Sequence, residues 1–149
     1  MKAKVLQRSR ITRYDGSFSS LSAFLLCPSP VSTDTETAET CGAGTLLLEA
    51  DGMTLTYREE ESGVTVTVEQ RSNSLTVTRS GAVLTFQVGA RTLFDYRTAY
   101  GILSTEAYTE SVTLKEKGNT RLITLVYTAV FGGMAQKNEL RFKITTNAL

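Results

Sequence analysis

The chain has 149 residues, of which 41% are hydrophobic and 21% are charged, and its formal net charge is +1. This length is enough for one domain with a buried core. The near-neutral charge excludes a global field that would draw the protein to nucleic acid or acidic lipid. Histidine is absent, which excludes Ser-His and Cys-His nucleophile pairs and most catalytic zinc sites.

The first element in chain order is a predicted strand over residues 3–11 with a basic outer face. The start of the chain is basic, with Lys2, Lys4, Arg8, Arg10 and Arg13 in or beside this strand. A patch that binds single-stranded nucleic acid usually adds exposed aromatic rings for stacking, and only Tyr14 and Phe18 lie near it. We therefore interpret the basic residues as a solvated strand face and expect no nucleic-acid partner.

Residues 12–44 form the irregular part of the prediction. A short helix, or a plug over one end of the fold, is expected over residues 17–27. The Ser-, Thr-, Glu- and Gly-rich residues 28–44 are expected to form a mobile loop. The apolar stretch at residues 21–26 is too short for an export signal or a membrane span, so we expect a cytoplasmic protein without membrane association.

Two cysteines, Cys27 and Cys41, flank the predicted loop. Two cysteines do not make a disulfide framework, and a protein without an export signal normally keeps its thiols reduced. We expect two free thiols, although the sequence alone leaves a bridge open.

From residue 45 onward, short segments alternate apolar and polar residues with a period of two, most clearly at residues 64–68 and 75–79. Such alternation is typical of half-buried antiparallel strands. It predicts strands near 45–50, 53–61, 63–71, 74–80, 83–88, 92–98, 102–109, 111–116, 121–131 and 138–146. Turn-forming residues join them, as at Asp51-Gly52, Ser80-Gly81 and Gly132-Gly133.

A small domain with this many hairpin-linked strands would leave exposed edges unless its sheet closed on itself. The turns recur about every ten residues without long crossovers, as in an up-and-down sheet. We therefore predict an all-β fold: a single antiparallel up-and-down barrel of about eight to ten strands over residues 1–149. At most one short helix is expected, before residue 45. A β-sandwich is the alternative.

Strand parity singles out two charged residues, Glu59 and Arg79. One face carries Met53, Leu55, Tyr57 and Glu59, and another carries Leu75, Val77 and Arg79. A buried charge is tolerated only with a partner, so we predict an ion pair between them, inside the barrel or at its mouth. Tyr57 or Tyr96 is expected to contribute a hydroxyl. The alternative is a slip or bulge that turns either charge toward solvent.

An ordered set of motifs carries a resemblance across about half of the chain. Its residues are Tyr57, Glu59, Glu60, Arg79-Ser80-Gly81, Phe86, Gly89, Tyr96, Thr98, Gly101, Thr109, Leu125 and Tyr127. In these motifs the chain resembles the YwiB-like family of bacterial proteins. The resemblance implies a calycin-like (lipocalin-type) β-barrel in a cytosolic bacterial setting, and it implies no reaction.

The leading functional interpretation is a non-enzymatic barrel that holds a small, largely apolar ligand. Tyrosine offers apolar area and one hydroxyl, so the candidate ligand-binding residues are Tyr57, Glu59, Arg79, Tyr96 and Tyr127. Ordinary core packing is the other interpretation of the tyrosines, because a small barrel can be filled by its own side chains.

Two other functional classes stay open. One is a ligand-free module that binds another protein through the barrel rim or loops. The other is an enzyme built on carboxylates and tyrosines, for example Glu59 with Asp95. We expect no catalytic residue, cofactor or metal, and the sequence leaves the ligand, the partner and the oligomeric state open.

Overall fold

The structure is a computed structural model that describes residues 1–98 and 101–146, apart from the side chains of residues 94–98 and 102–104. Its elements are β1 (Lys2–Tyr14), α1 (Leu21–Leu25), β2 (Ser32–Glu49), β3 (Gly52–Glu59), β4 (Thr65–Arg71), β5 (Ser74–Arg79), β6 (Ala82–Gln87), β7 (Arg91–Thr98), β8 (Gly101–Lys117), β9 (Thr120–Phe131) and β10 (Met134–Thr146). The predicted all-β class and the single short helix before residue 45 are confirmed for the described residues.

All ten strands belong to one antiparallel sheet with the order β6-β5-β4-β3-β2-β1-β10-β9-β8-β7. Apart from β1 and β10, all hydrogen-bonded neighbours in this order follow one another in the chain. The two end strands come together, and the β6–β7 connection bonds to β8: the Gly89 amide donates to the Thr109 carbonyl at 2.9 Å, and the Thr109 amide donates to the Ala90 carbonyl at 3.2 Å. The sheet therefore forms a nearly closed up-and-down barrel, as predicted.

The largest departure from the prediction is β2. Residues 32–44, expected to be irregular, belong to an 18-residue strand that pairs with β1 from Ser32 to Thr45 and with β3 from Gly42 onward. Threonine favours strands, but residues 32–39 are exposed on both faces, so no alternation marks them. The mobility predicted for residues 28–44 stays a prediction.

The helix α1 begins after Ser20, whose hydroxyl caps it by accepting a hydrogen bond from the Ala23 amide at 3.2 Å. Its Leu21 and Phe24 side chains are buried. Within the described residues, no helix reaches the length and apolarity that a membrane crossing requires. Cys27 and Cys41 are free thiols.

The two strands predicted near residues 102–109 and 111–116 are one strand, β8. Its register against β9 shifts between Thr109 and Ser111, as at a β-bulge. The predicted turn at Ser80-Gly81 is present, and both residues have positive φ, 51° and 79°. This combination is typical of the two-residue hairpins whose twist matches that of the strands.

One apolar cluster fills the barrel. Its largest members are Tyr57, Phe86, Phe142, Leu46, Leu55, Leu75, Ile123, Leu125 and Ile144. Strand parity and the apolar content of their faces predict that Phe86, Leu125, Tyr127, Leu140, Phe142 and Ile144 point inward. Phe86, Leu125, Phe142 and Ile144 are buried, and Tyr127 and Leu140 are partly buried against the same cluster.

The strands differ in length at the end of the barrel where β3 and β5 stop, at Glu59 and Arg79. β2 continues along β1 to Ser32, ten residues beyond its last pairing with β3 at Gly42. β1 and β10 stay paired along the same extension, as far as Arg13 and Gln136. We call this the stepped end, because short strands bound it on one side and long strands on the other.

Truncation of Phe142, which is 1% exposed, should leave a cavity in a well-packed core. We expect Phe142→Ala to lower the free energy of unfolding by about 3–5 kcal/mol. The control Val83→Ala, at a residue that is 60% exposed, should change it by less than about 0.5 kcal/mol. Urea denaturation measures both, and a loss below about 1 kcal/mol for Phe142→Ala would show that the core is not packed as described.

Candidate functional site

The predicted ion pair between Glu59 and Arg79 is present. Arg79 Nη2 lies 2.8 Å and Nε 3.1 Å from Glu59 Oε1, and the Ser62 hydroxyl donates to the same oxygen at 2.9 Å. The Glu59 side chain is 6% exposed and the Arg79 side chain 53% exposed. The pair therefore sits at the mouth of the barrel, with its carboxylate inside and its guanidinium reaching solvent.

Register explains why these two side chains meet. Val66 on β4 lies opposite Tyr57 on one side and Arg79 on the other, so Tyr57 and Arg79 share one inward row. Glu59 is the next inward residue of β3 and ends that strand. The β3–β4 turn then brings Ser62 back over the carboxylate, with the Gly63 amide bonded to the Glu59 carbonyl at 3.0 Å.

A glycine on β2 makes room for this arrangement. Gly42 lies opposite Glu59, and a Cβ on Gly42 would stand 2.7 Å from the Tyr57 ring and 2.4 Å from the Arg58 carbonyl oxygen. Only glycine fits such a close approach of backbone and ring. Gly42 is not identifiable as a site residue from the sequence, because it lies in the predicted loop. The feature of the sequence that indicates its place on a strand is the spacing of Gly42 and Gly44, because residues two apart lie on the same face of a strand.

Tyr57 is buried beside the pair. Burial raises the pKa of Tyr57 to about 12; the charge of Glu59 adds to this increase and the charge of Arg79 opposes it. Its hydroxyl has no hydrogen-bond partner among the described residues, so of the two predicted donors, Tyr57 or Tyr96, Tyr57 does not bond to the pair. The side chains of Tyr96, the other predicted donor, and of Asp95 lie outside the described residues.

A second polar row crosses β8, β9 and β10 on the inward face. Thr109 pairs with Tyr127, and Tyr127 pairs with Asn138. Thr109 and Asn138 are buried, and neither Thr109 Oγ1 nor Asn138 Nδ2 has a partner among the described residues. Sequence analysis gave no role to Asn138, although an amide in the inward row of Leu140 and Phe142 is a break in the apolar pattern.

Tyr127 joins this row to the apolar core. Its ring centroid lies 4.7 Å from that of Phe86, and burial raises the pKa of Tyr127 to about 12. The structure thus brings Tyr57, Glu59 and Arg79 together, and it places Tyr127 against the same core in the row of Thr109 and Asn138. No cluster of three or more metal-ligating His, Cys, Asp or Glu side chains occurs in the part of the chain that is described.

A separate groove of about 450 Å³ lies on the outer faces of β2, β1 and β10. Two ion pairs cross it, Arg8 to Glu39 at 2.7 Å and Arg141 to Glu139 at 2.7 Å. We place the candidate site at the stepped end rather than in this groove, because the groove is formed by exposed, mutually neutralised charges. Buried polar atoms without partners instead lie inside the barrel.

Replacing one partner of the ion pair should lower the free energy of unfolding more than replacing both partners. Arg79→Met leaves the Glu59 carboxylate buried with only Ser62, whereas Arg79→Met with Glu59→Gln removes the charge. We expect the free energies of unfolding to show a coupling of about 1 kcal/mol, kept modest by the exposure of Arg79. Urea denaturation of wild type, both single variants and the double variant measures it; additive effects would contradict the pairing.

Tyr57 and Tyr127 should ionise late. Their folded pKa values, about 12, exceed the value of about 10 in an unfolded chain. The stability from keeping them neutral is therefore complete below pH about 10 and is lost as the pH rises through about 12. In a spectrophotometric titration, Tyr57→Phe and Tyr127→Phe should each differ from wild type by a loss of phenolate absorbance only at the alkaline end. A loss of phenolate absorbance near pH 10 in either variant would contradict the burial of that tyrosine.

Comparisons with known proteins agree with this architecture. Residues 30–142 match the family described as Domain of unknown function (DUF1934), and no curated protein matches the chain. The crystal structure of ywiB protein from Bacillus subtilis is similar, with a TM-score of 0.64, 18% identity, and coverage of 99% of this chain and 94% of that chain. That identity supports the fold alone. Because the family match spans more than half of the sequence, the chain belongs to the DUF1934 family, the YwiB-like proteins whose motifs it shares.

Proposed function

We propose that this protein is a non-enzymatic, cytoplasmic binding protein that holds one small, largely apolar ligand at the stepped end of its barrel. The observation that carries the proposal is that three of the six buried polar atoms without a partner among the described residues are Tyr57 Oη, Thr109 Oγ1 and Asn138 Nδ2. Native proteins pair nearly all such atoms, and an unpaired one costs about 1–3 kcal/mol. A ligand with polar groups in reach of them would remove that cost.

Arg79 supports the proposal from the solvent side. A guanidinium has five N–H donors, and the two bonds to Glu59 Oε1 come from Nε and Nη2. Glu59 fixes the orientation of the guanidinium. The other N–H groups of the half-exposed Arg79 side chain can donate to an acceptor or anionic group of a ligand. The preferred ligand class is therefore an amphipathic molecule with a carboxylate or similar head.

The apolar end of such a ligand would enter the packed core. The rings of Phe86 and Tyr127 and the aliphatic row on β3 belong to the cluster that fills the barrel below the pair. Apolar walls with a few oriented polar groups are the usual composition of small-molecule sites. Burial of the apolar end supplies affinity, and the polar groups select the head.

A fluorescent dansyl-labelled fatty acid tests this proposal, because it combines an environment-sensitive apolar probe with a carboxylate. We expect saturable binding with enhanced fluorescence, and about tenfold weaker binding to Arg79→Met, since a charge-assisted hydrogen bond is lost. The methyl ester of the probe should bind wild type and Arg79→Met equally.

Arg71→Met is the matched control. Arg71 is also partly exposed and ion-paired, with Glu49 at 3.3 Å, but it lies on β4 at the other end of the barrel. Its replacement should leave the affinity unchanged. Absence of saturable binding to wild type, or equal weakening by Arg71→Met and Arg79→Met, would contradict a site at Arg79.

A further inference from the structure

Part of β2 is an uncovered sheet edge. Residues 34–41 pair with β1 on one side, and in the described part of the chain no strand pairs with their other side, because β3 begins its pairing at Gly42. Exposed edges are normally blunted by charged side chains, above all lysine, or by proline or a bulge. Residues 34–40 contain no lysine, proline or glycine, and the register shift of this ladder comes only at Arg13 and Tyr14.

The backbone groups that face outward can be assigned. The Cys41 carbonyl accepts from the Glu60 amide at 2.9 Å, on the β3 side, and the Leu46 amide donates to the Met1 carbonyl at 2.8 Å, on the β1 side. Backbone groups alternate in direction along a strand. The N–H and C=O groups of the odd-numbered residues Thr35, Thr37 and Glu39 therefore point away from β1, toward the uncovered side.

The acidic side chains of this edge are neutralised within the chain. Asp34 and Glu36 both bond to Arg13, at 3.0 and 2.8 Å, and Glu39 bonds to Arg8 at 2.7 Å. Exposed ion pairs of this kind add little stability. They do, however, remove much of the repulsion that three carboxylates would otherwise exert on a second edge of the same sequence.

We propose that two copies of this chain pair through this edge, antiparallel, about a two-fold axis at Thr37. In this register Thr37 lies opposite its own counterpart, Thr35 opposite Glu39, Glu36 opposite Ala38 and Asp34 opposite Thr40, so no two carboxylates face each other. Axes at Glu36 or Glu39 place like charges directly opposite, which is destabilising. An axis at Ala38 avoids this but pairs Asp34 with Gly42, where β3 already occupies the edge.

The surface is self-complementary, as a two-fold interface requires. The outward groups of Thr35, Thr37 and Glu39 would complete their hydrogen bonds with the second copy and extend the sheet across the axis. A single pair of short edges buries less area than a permanent dimer needs, so the dimer is weak and concentration-dependent. This inference is independent of the ligand proposal, since the edge lies outside the barrel interior.

Sedimentation velocity across a wide concentration range tests the pairing. We expect wild type to pass from monomer to dimer as its concentration rises, and Thr37→Pro to stay monomeric. Proline at residue 37 removes only the outward N–H, because this residue has no backbone bond to β1. Circular dichroism checks that the variant is folded. A wild type that is monomeric throughout, or a folded Thr37→Pro that dimerises equally well, overturns the proposal.

Opposite charges placed at Thr37, on the proposed axis, give a second test that does not depend on how Thr37→Pro folds. Thr37→Lys and Thr37→Glu should each weaken self-association by up to about fivefold, and their equimolar mixture should associate more tightly than either alone. The matched controls are Thr45→Lys and Thr45→Glu, on the same outer face of β2 where β3 covers the edge, and they should leave association unchanged. A mixture no tighter than its components, or association that is lost equally in the Thr45 variants, overturns the two-fold at Thr37.

Discussion

The burial of one carboxylate at the end of an apolar row constrains much of this barrel. Glu59 follows Met53, Leu55 and Tyr57 on the inward face of β3, and its side chain is 6% exposed. A carboxylate in that position is stable only with strong hydrogen-bond donors. Arg79 reaches it from two strands away and Ser62 from the adjoining turn. The β3–β4–β5 register, the turn after β3 and the missing side chain at Gly42 all serve this one contact.

The same interior also has an opposite feature. Apolar side chains fill most of it, yet Tyr57, Thr109 and Asn138 each keep a buried polar atom without a partner among the described residues. Evolution of a barrel for stability alone would favour apolar residues of similar volume there, as core-packing energetics dictate. Polar atoms that cost stability, one of them beside the Glu59–Arg79 pair, fit a site that pairs them with a bound molecule.

Much of the fold could be predicted because each strand from residue 45 onward has one dry and one wet face, so alternation and turn residues identify it. Parity also predicted the contact between Glu59 and Arg79, since both charges continue apolar rows. The outer half of β2 could not be found in this way, because residues 32–39 are exposed on both faces and are held by backbone pairing with β1 and surface ion pairs rather than by a buried face. The roles of Thr109 and Asn138 depend on neighbours from three strands, and a single sequence does not specify that environment.

Native mass spectrometry of the freshly purified protein tests the ligand-binding account most directly. The account predicts a chain that carries one additional small mass under native conditions, released under denaturing conditions and reduced in Arg79→Met but not in Arg71→Met. A protein that shows only the mass of the bare chain, in wild type and variants alike, would contradict the claim that the buried polar atoms at the stepped end form a binding site.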